Sequence, residues 1–334
     1  MRPAPRCRCE ARCDAERGSG VRLLESRAGE GRRAPARRGR YRSAQMKTRR
    51  TDDAGDMIDA RGAGGGLSRA GVGGGVTITG LLVFLALQLL SGGKFEVPAG
   101  FDPSTAAMSG SGSVPSSKED DSLAQFSGRV AADVQDVWTD LFKQSDQTYR
   151  RAKIVRYSGS VSTGGCGNAT SAVGPFYCPG DERVYLDMSF YGDMREQLGA
   201  TGDFAWAYVI AHELGHHVQN LSGTFDKVNE LERNDRSAAS GAQGLSVRTE
   251  LQADCYAGVW AHAAYGYGQL ESGDLQEALG AAQSVGDDRL QSRSGSVKPD
   301  TFTHGTSAQR QQWFETGYKS GQPADCDTFS PSRV

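Results

Sequence analysis

Two histidines separated by three residues place the strongest constraint on how this chain can fold. His212 and His216 enclose Glu213 in the pattern His-Glu-x-x-His, and the apolar segment Ala-Tyr-Val-Ile-Ala precedes them. On a helix, residues four apart lie one turn apart on the same face, so both imidazoles can reach one ion. The pattern therefore predicts a helix over residues 204–219 that carries a metal site.

A catalytic metal site combines three protein ligands with one open position, so a third ligand is expected. The candidates are Glu250, His262 and His304. We predict Glu250, which begins Glu-Leu-Gln-Ala-Asp at the start of an apolar helix. Asp254 lies one turn further on and can accept the second N–H of a ligating imidazole. If Glu250 is only a helix-start acid, His304 is the next candidate. Imidazole and carboxylate ligands suit Zn²⁺.

Two residues are candidates for catalysis. Glu213 lies beside both imidazoles and can take the proton of a water at the metal. His304 lies in Phe-Thr-His-Gly-Thr, just before a predicted helix, and could donate a hydrogen bond to an oxyanion. The alternative for His304 is an ordinary loop histidine. Three tyrosines could play a similar part, and nothing in the sequence selects among them: Tyr256, Tyr265 and Tyr267.

Residues 118–334 have the patterns of one α+β domain that is mainly helical. Apolar residues recur at helical spacing from Leu123 to Phe142, and Lys153–Tyr157 and Arg183–Asp187 have the composition of strands. Further helices are predicted over residues 204–219, 251–264, 275–285 and 307–317. The Gly/Ser/Pro-rich residues 93–117 are predicted to be a linker.

An uncharged apolar run occupies residues 76–90. With its flanking glycines it is long enough to cross a bilayer, so we predict one transmembrane helix at 73–92. Basic residues precede the run, and the positive-inside rule then places the N-terminus in the cytoplasm and the domain in the cell envelope. A cleaved signal peptide is the less compatible alternative, because a long tail comes first.

Residues 1–72 are rich in Arg, Gly, Ala and Ser and are predicted to be a disordered cytoplasmic tail. Met46 begins Met-Lys-Thr-Arg-Arg, and the composition suggests that residues 1–45 are not part of the natural product. N-terminal sequencing of native protein tests that hypothesis. Residues 94–334 hold 20 basic and 31 acidic residues, a net charge of −11, which argues against nucleic acid as a partner.

Four of the seven cysteines lie in the predicted domain. Cys166 and Cys178 flank a Gly-rich loop and could close it, which would leave Cys255 with Cys326. An exported domain can oxidise such pairs. Free buried thiols are the alternative, and the sequence does not fix the connectivity.

Several motifs together resemble a known family. They are residues 174–179 (Gly-Pro-Phe-Tyr-Cys-Pro), 207–219 (Ala-Tyr-Val-Ile-Ala-His-Glu-Leu-Gly-His-His-Val-Gln), 250–255 (Glu-Leu-Gln-Ala-Asp-Cys), 286–288 (Gly-Asp-Asp) and 302–307 (Phe-Thr-His-Gly-Thr-Ser). In this order they resemble the bacterial putative neutral zinc metallopeptidase family, over about residues 94–329. The resemblance implies a zincin-like fold and a single membrane anchor. Glu-x-x-x-Asp after His-Glu-x-x-His also resembles the gluzincin pattern. By analogy with zincins, strand 183–187 would bind the substrate backbone.

These features predict a membrane-anchored zinc metallopeptidase that acts on protein or peptide substrates. His212, His216 and Glu250 would hold Zn²⁺, Glu213 would act as general base, and His304 would stabilise the oxyanion. Two alternatives remain open at this point. One is an inactive, metal-stabilised interaction module of the cell envelope, and the other is a hydrolase of a non-peptide amide.

Overall fold

The computed structural model of the chain describes residues 46–61, 118–293 and 295–334. The predicted transmembrane segment 73–92, the linker 93–117 and most of the predicted tail lie outside these residues. No helix in the described part of the chain is long and apolar enough to span a bilayer.

The described residues form a mainly helical α+β domain with eight α-helices and six short strands, which agrees with the predicted fold class. The strands are β1 (Met57–Asp59), β2 (Lys153–Tyr157), β3 (Ser160–Ser162), β4 (Asn168–Thr170), β5 (Phe176–Cys178) and β6 (Arg183–Asp187). The helices are α1 (Lys118–Gln144), α2 (Phe190–Glu196), α3 (Asp203–Leu221), α4 (Thr224–Asn234), α5 (Leu245–Gly266), α6 (Asp274–Ser284), α7 (Asp287–Ser292) and α8 (Ser307–Ser320).

Four strands form one mixed sheet in the order β1-β2-β6-β5. Strands β1, β2 and β6 are parallel, and β5 runs antiparallel to β6. The predicted strands over residues 153–157 and 183–187 are confirmed with the same bounds as β2 and β6. Because β6 has a hydrogen-bonded neighbour on each side, its edges are filled and it cannot accept a substrate strand. The analogy that assigned this role to residues 183–187 is therefore wrong.

The prediction of disorder is wrong for residues 46–61, which pack against the domain. Strand β1 pairs with β2, and the buried carboxylate of Asp56 accepts hydrogen bonds from Gln135 at 3.0 Å and Arg151 at 2.8 Å. The composition of the segment could not reveal partners that lie about 80–95 residues away. A single membrane crossing between residues 61 and 118 would separate these packed segments. Because these segments pack together, residues 46–61 lie on the same side of any membrane as the domain.

Glycines allow the close helix crossings that position the site. A Cβ atom at Gly215 of α3 would lie 3.0 Å from the carbonyl oxygen of Ala253 on α5. A Cβ atom at Gly317 of α8 would overlap the carbonyl group of Cys255 on α5. Gly215 therefore brings α5 close to the histidine helix, and Gly317 brings α8 close to α5.

Both disulfide pairs suggested by the sequence are present. Cys166 bonds Cys178 across the loop that precedes β5. Cys255 on α5 bonds Cys326 near the C-terminal end of the described chain. The second bond ties the last residues to the helix that carries Glu250.

The N-terminal end of α3 is held by a carboxylate from α6. Glu277 accepts the N–H of Phe204 at 3.1 Å, and Gly202 leaves room for it because a Cβ atom there would overlap the carboxylate. Burial, with added repulsion from Asp203 and Asp274, raises the pKa of Glu277 to about 7 from an ordinary 4.5. The unfolded chain thus releases this proton at lower pH than the folded chain does. The free energy of unfolding must therefore fall as pH rises from 4.5 to 7.

We expect Glu277→Gln to stabilise the protein at pH 8 and not at pH 4.5. Glutamine keeps an acceptor for Phe204 and removes the buried charge. Since the group is partly exposed, solvent screening reduces the gain to about 1 kcal/mol. Urea denaturation of both proteins at the two pH values measures it. Glu315→Gln, at a partly exposed position of α8, is the control and should not stabilise the protein at pH 8, because it removes the ion pair with Lys319. A pH-independent effect of Glu277→Gln would contradict the prediction.

Candidate metal centre

The two histidines of the His-Glu-x-x-His motif lie on one face of α3, as the sequence predicts. Their ring centroids are 4.8 Å apart, and both side chains are buried. The helix spans Asp203–Leu221, slightly longer than predicted. Most of the helix is buried, including Ala211 and Leu214, and the two histidines keep only 6% and 2% of their surface exposed.

Glu250 meets both imidazoles from α5. Its Oε2 lies 3.2 Å from His212 Nε2, and its Oε1 lies 3.5 Å from His216 Nε2. Among the described residues, these three form a group whose ligand atoms lie within 4.8 Å of one another. The close approach of α3 and α5 at Gly215 makes this meeting possible, since Ala253 lies less than one turn beyond Glu250.

The donor atoms fit a zinc ion. With bonds of about 2.0–2.2 Å, ligand atoms around a tetrahedral zinc lie about 3.3 Å apart, close to the two separations above. The Nε2 atom of His216 is buried and has no hydrogen-bond partner. Such an orphaned nitrogen is costly unless a cation binds it. Two imidazoles and one carboxylate also leave one tetrahedral position for a further ligand.

The other nitrogen of each imidazole has a partner. His212 Nδ1 lies 2.8 Å from Asp254 Oδ1, where the sequence predicts a carboxylate. His216 Nδ1 lies 2.8 Å from Gln219 Oε1, and Gln219 in turn donates to the carbonyl of Thr249. Both acceptors favour the tautomer with the proton on Nδ1, which leaves the Nε2 lone pair for a metal. Sequence reasoning missed Gln219, although its position three residues after His216 puts it on the same helix face.

Asp254 forms a buried ion pair with Arg310. Arg310 Nε and Nη2 donate to its two oxygens at 2.8 and 2.9 Å, and Tyr208 donates to Oδ1 at 2.5 Å. Burial alone would raise the pKa of Asp254, but Arg310 and His212 lower it to about 2. The carboxylate is therefore ionised at neutral pH. Neither Arg310 nor Tyr208 was singled out from the sequence, because nothing local marks them.

Glu213 is buried beside the two imidazoles, and its Oε2 has no hydrogen-bond partner. Burial raises its pKa to about 7, His212 opposes this shift, and the charge of Glu250 adds to it. A carboxyl group with this pKa exchanges its proton easily near neutral pH. The backbone N–H of Tyr177, on the edge strand β5, also acts on this carboxylate. Strand β5 therefore packs on the helix that carries the site, where the Tyr177 hydroxyl also contacts His217 and Asn220.

The other three histidines have different surroundings. His304 is buried, and its Nδ1 lies 3.3 Å from Asp287 Oδ1. The second oxygen of Asp287 accepts the N–H groups of residues 303, 304 and 305, which fixes the loop. His217 contacts Tyr177 and a carbonyl group, and the exposed His262 faces the carbonyl group of Tyr318. His262 is therefore removed as a candidate for the third ligand.

Comparisons with known proteins show the family to which the chain belongs. The family model described as "Putative neutral zinc metallopeptidase" matches residues 36–329. The "Uncharacterized protein YpfJ" of Escherichia coli is 54% identical over 217 residues, which cover 65% of this chain and 75% of that protein. The "Uncharacterized protein Rv2575" of Mycobacterium tuberculosis is 49% identical over 194 residues, 54% of this chain and 64% of that protein. No solved structure matches the chain.

Proposed function

Since this chain belongs to the neutral zinc metallopeptidase family, we propose that it hydrolyses peptide bonds at a zinc ion held by His212, His216 and Glu250. The observation that carries the proposal is the convergence of these three buried groups, with one imidazole nitrogen lacking any other partner. Zinc is the cofactor that the family implies. Its substrates are peptides or proteins as a class.

When bound, zinc supplies a Lewis acid that acidifies water and polarises a carbonyl group. Glu213 takes the proton of the attacking water and passes it to the nitrogen of the leaving amine. Its free Oε2 and its raised pKa suit both steps. His304 is held by Asp287 through Nδ1, and in its imidazolium form it donates from Nε2 to the oxyanion that forms on the substrate.

The proposed support for an extended substrate is β5, the terminal strand of the sheet, whose three residues are buried and would have to be uncovered first. An extended peptide can add to an exposed strand edge through main-chain hydrogen bonds. Tyr177 lies in this strand, and its N–H faces the carboxylate of Glu213. A peptide paired with β5 would therefore run past the general base. This arrangement replaces the role that the sequence assigned to residues 183–187.

Zinc content and cleavage of an unfolded protein test the proposal together. We expect the purified full chain to hold one zinc per molecule and to cleave fluorescently labelled casein. Treatment with a chelator should abolish cleavage, and added Zn²⁺ should restore it. A protein that binds zinc but cleaves neither casein nor a random peptide library would contradict the proposal and leave the interaction module and the hydrolase of a non-peptide amide.

We also propose that the apolar run at 73–92 attaches the protein to the membrane with its peptidase domain in the cell envelope. Because residues 46–61 pack on that domain, they would lie in the envelope with it. Fractionation, followed by protease treatment of intact spheroplasts, tests both points. Recovery in the soluble fraction would contradict attachment, and protection of the domain from protease would contradict its location.

A further inference from the structure

The buried guanidinium of Arg310 is the most unusual charged group near the metal centre. Arg310 is 3% exposed, and α8 brings it against α3 and α5. Nε donates to Asp254 Oδ2 at 2.8 Å, and Nη2 donates to Asp254 Oδ1 at 2.9 Å and to the Tyr208 hydroxyl at 3.2 Å. The fork of the guanidinium thus holds both oxygens of one carboxylate in a fixed plane.

A contribution to folding stability does not by itself explain this ion pair. Removing two charges from water has a large desolvation penalty, and well-packed apolar residues often stabilise a core as well or better. The surroundings also offer apolar partners, because Phe314 lies one turn further along α8 and packs edge-on against Tyr208. A role in the geometry of the site accounts for Arg310 better.

The contacts of Asp254 indicate what that role is. Its Oδ1 accepts from Arg310 and Tyr208 and also lies 2.8 Å from His212 Nδ1. One oxygen therefore joins the guanidinium to the imidazole. If Asp254 rotated about its side chain, His212 would lose the acceptor that fixes its tautomer and ring orientation.

We propose that Arg310 is a positioning residue of the zinc site, which locks Asp254 so that His212 presents its Nε2 lone pair to the metal. The inference rests on the proposed function, because it takes His212 to be a zinc ligand. It predicts that the two imidazoles are oriented by groups of different charge. His212 is held through an ion pair, whereas His216 is held by the neutral amide of Gln219.

The affinity for zinc, measured by competition with a chromophoric chelator, tests the inference without any assay of activity. Two variants are compared. Arg310→Met removes the charge and the N–H donors, and Arg310→Lys keeps the charge but cannot donate to both carboxylate oxygens in the geometry of a guanidinium. Arg248→Met is the matched control. Arg248 is a buried arginine on α5 that donates to the carbonyl groups of Thr328 and Pro331, away from the histidines.

We expect Arg310→Met to weaken zinc binding by about 10- to 100-fold and Arg310→Lys by less. The visible spectrum of Co²⁺ in the site should also change, because the orientation of one ligand changes. Arg248→Met should lower stability while zinc affinity and the Co²⁺ spectrum stay as in the wild type.

Wild-type zinc affinity in both folded Arg310 variants would overturn the inference. So would the failure of both to fold, since Arg310 would then serve stability. Wild-type protein that binds no zinc would instead overturn the proposed function, and His212→Ala, expected to lose zinc, checks that step separately.

Discussion

Replacement of Glu213 by glutamine is expected to remove most of the peptide hydrolysis while zinc stays bound. The side chain is buried beside the imidazoles, and it makes none of the contacts that bring His212, His216 and Glu250 together. Glutamine has nearly the same shape but cannot accept a proton from water. General-base catalysis accounts for about 10²- to 10⁴-fold in rate, so kcat should fall by that factor.

The measurement pairs kcat on a labelled peptide with zinc content per chain. Burial also favours the neutral glutamine, so the variant should be at least as stable as the wild type. Glu315→Gln, which makes the same chemical change on the surface of α8, should leave both quantities unchanged. Retained zinc-dependent cleavage by Glu213→Gln would remove Glu213 from the mechanism.

The sequence predicts the parts of the site that depend on local spacing. His212, Glu213 and His216 share one helix, so their mutual geometry follows from the helix repeat. The placement of Glu250 could be predicted only as a choice among candidates, because a crossing of two helices decides it. Gln219 could have been found from the sequence, because it lies about one turn from His216 on the same helix. Arg310 could not, because the packing of a separate helix brings it to the site.

Long-range packing also determines that residues 46–61 are ordered, which their composition did not indicate. Residues 46–61 have the charged, Gly-containing character of a disordered tail, but Arg50 and Arg151 both bond Asp136, and Met57 pairs in register with Ile154. A short segment can gain order from a sheet built elsewhere in the chain, since the sheet supplies both hydrogen-bond partners and buried surface. The composition of residues 46–61 alone therefore could not predict their structure, because the strand and side chains they pair with lie elsewhere in the chain.

The second large effect is expected for Glu250→Gln, which should lose zinc. The carboxylate supplies the negative charge at the centre and faces Nε2 of both imidazoles. A neutral amide is a weaker ligand, and its N–H₂ group would point a donor at the same position. Replacement of a group that only supports a ligand weakens binding by about 10- to 100-fold. Loss of a ligand itself should exceed about 100-fold.

His304→Ala separates this prediction from the alternative in which His304 is the third ligand. Among the described residues, the group of close ligand atoms that includes histidines consists of His212, His216 and Glu250, and the Nδ1 atom of His304 faces Asp287. We therefore expect His304→Ala to keep wild-type zinc affinity and to lose about 10²- to 10³-fold in kcat, as removal of an oxyanion donor does. Zinc lost from His304→Ala and kept by Glu250→Gln would reverse the two assignments. His304, from the loop before α8, would then be the third ligand in place of Glu250. The close crossing of α3 and α5 at Gly215 would in that case contribute only to packing.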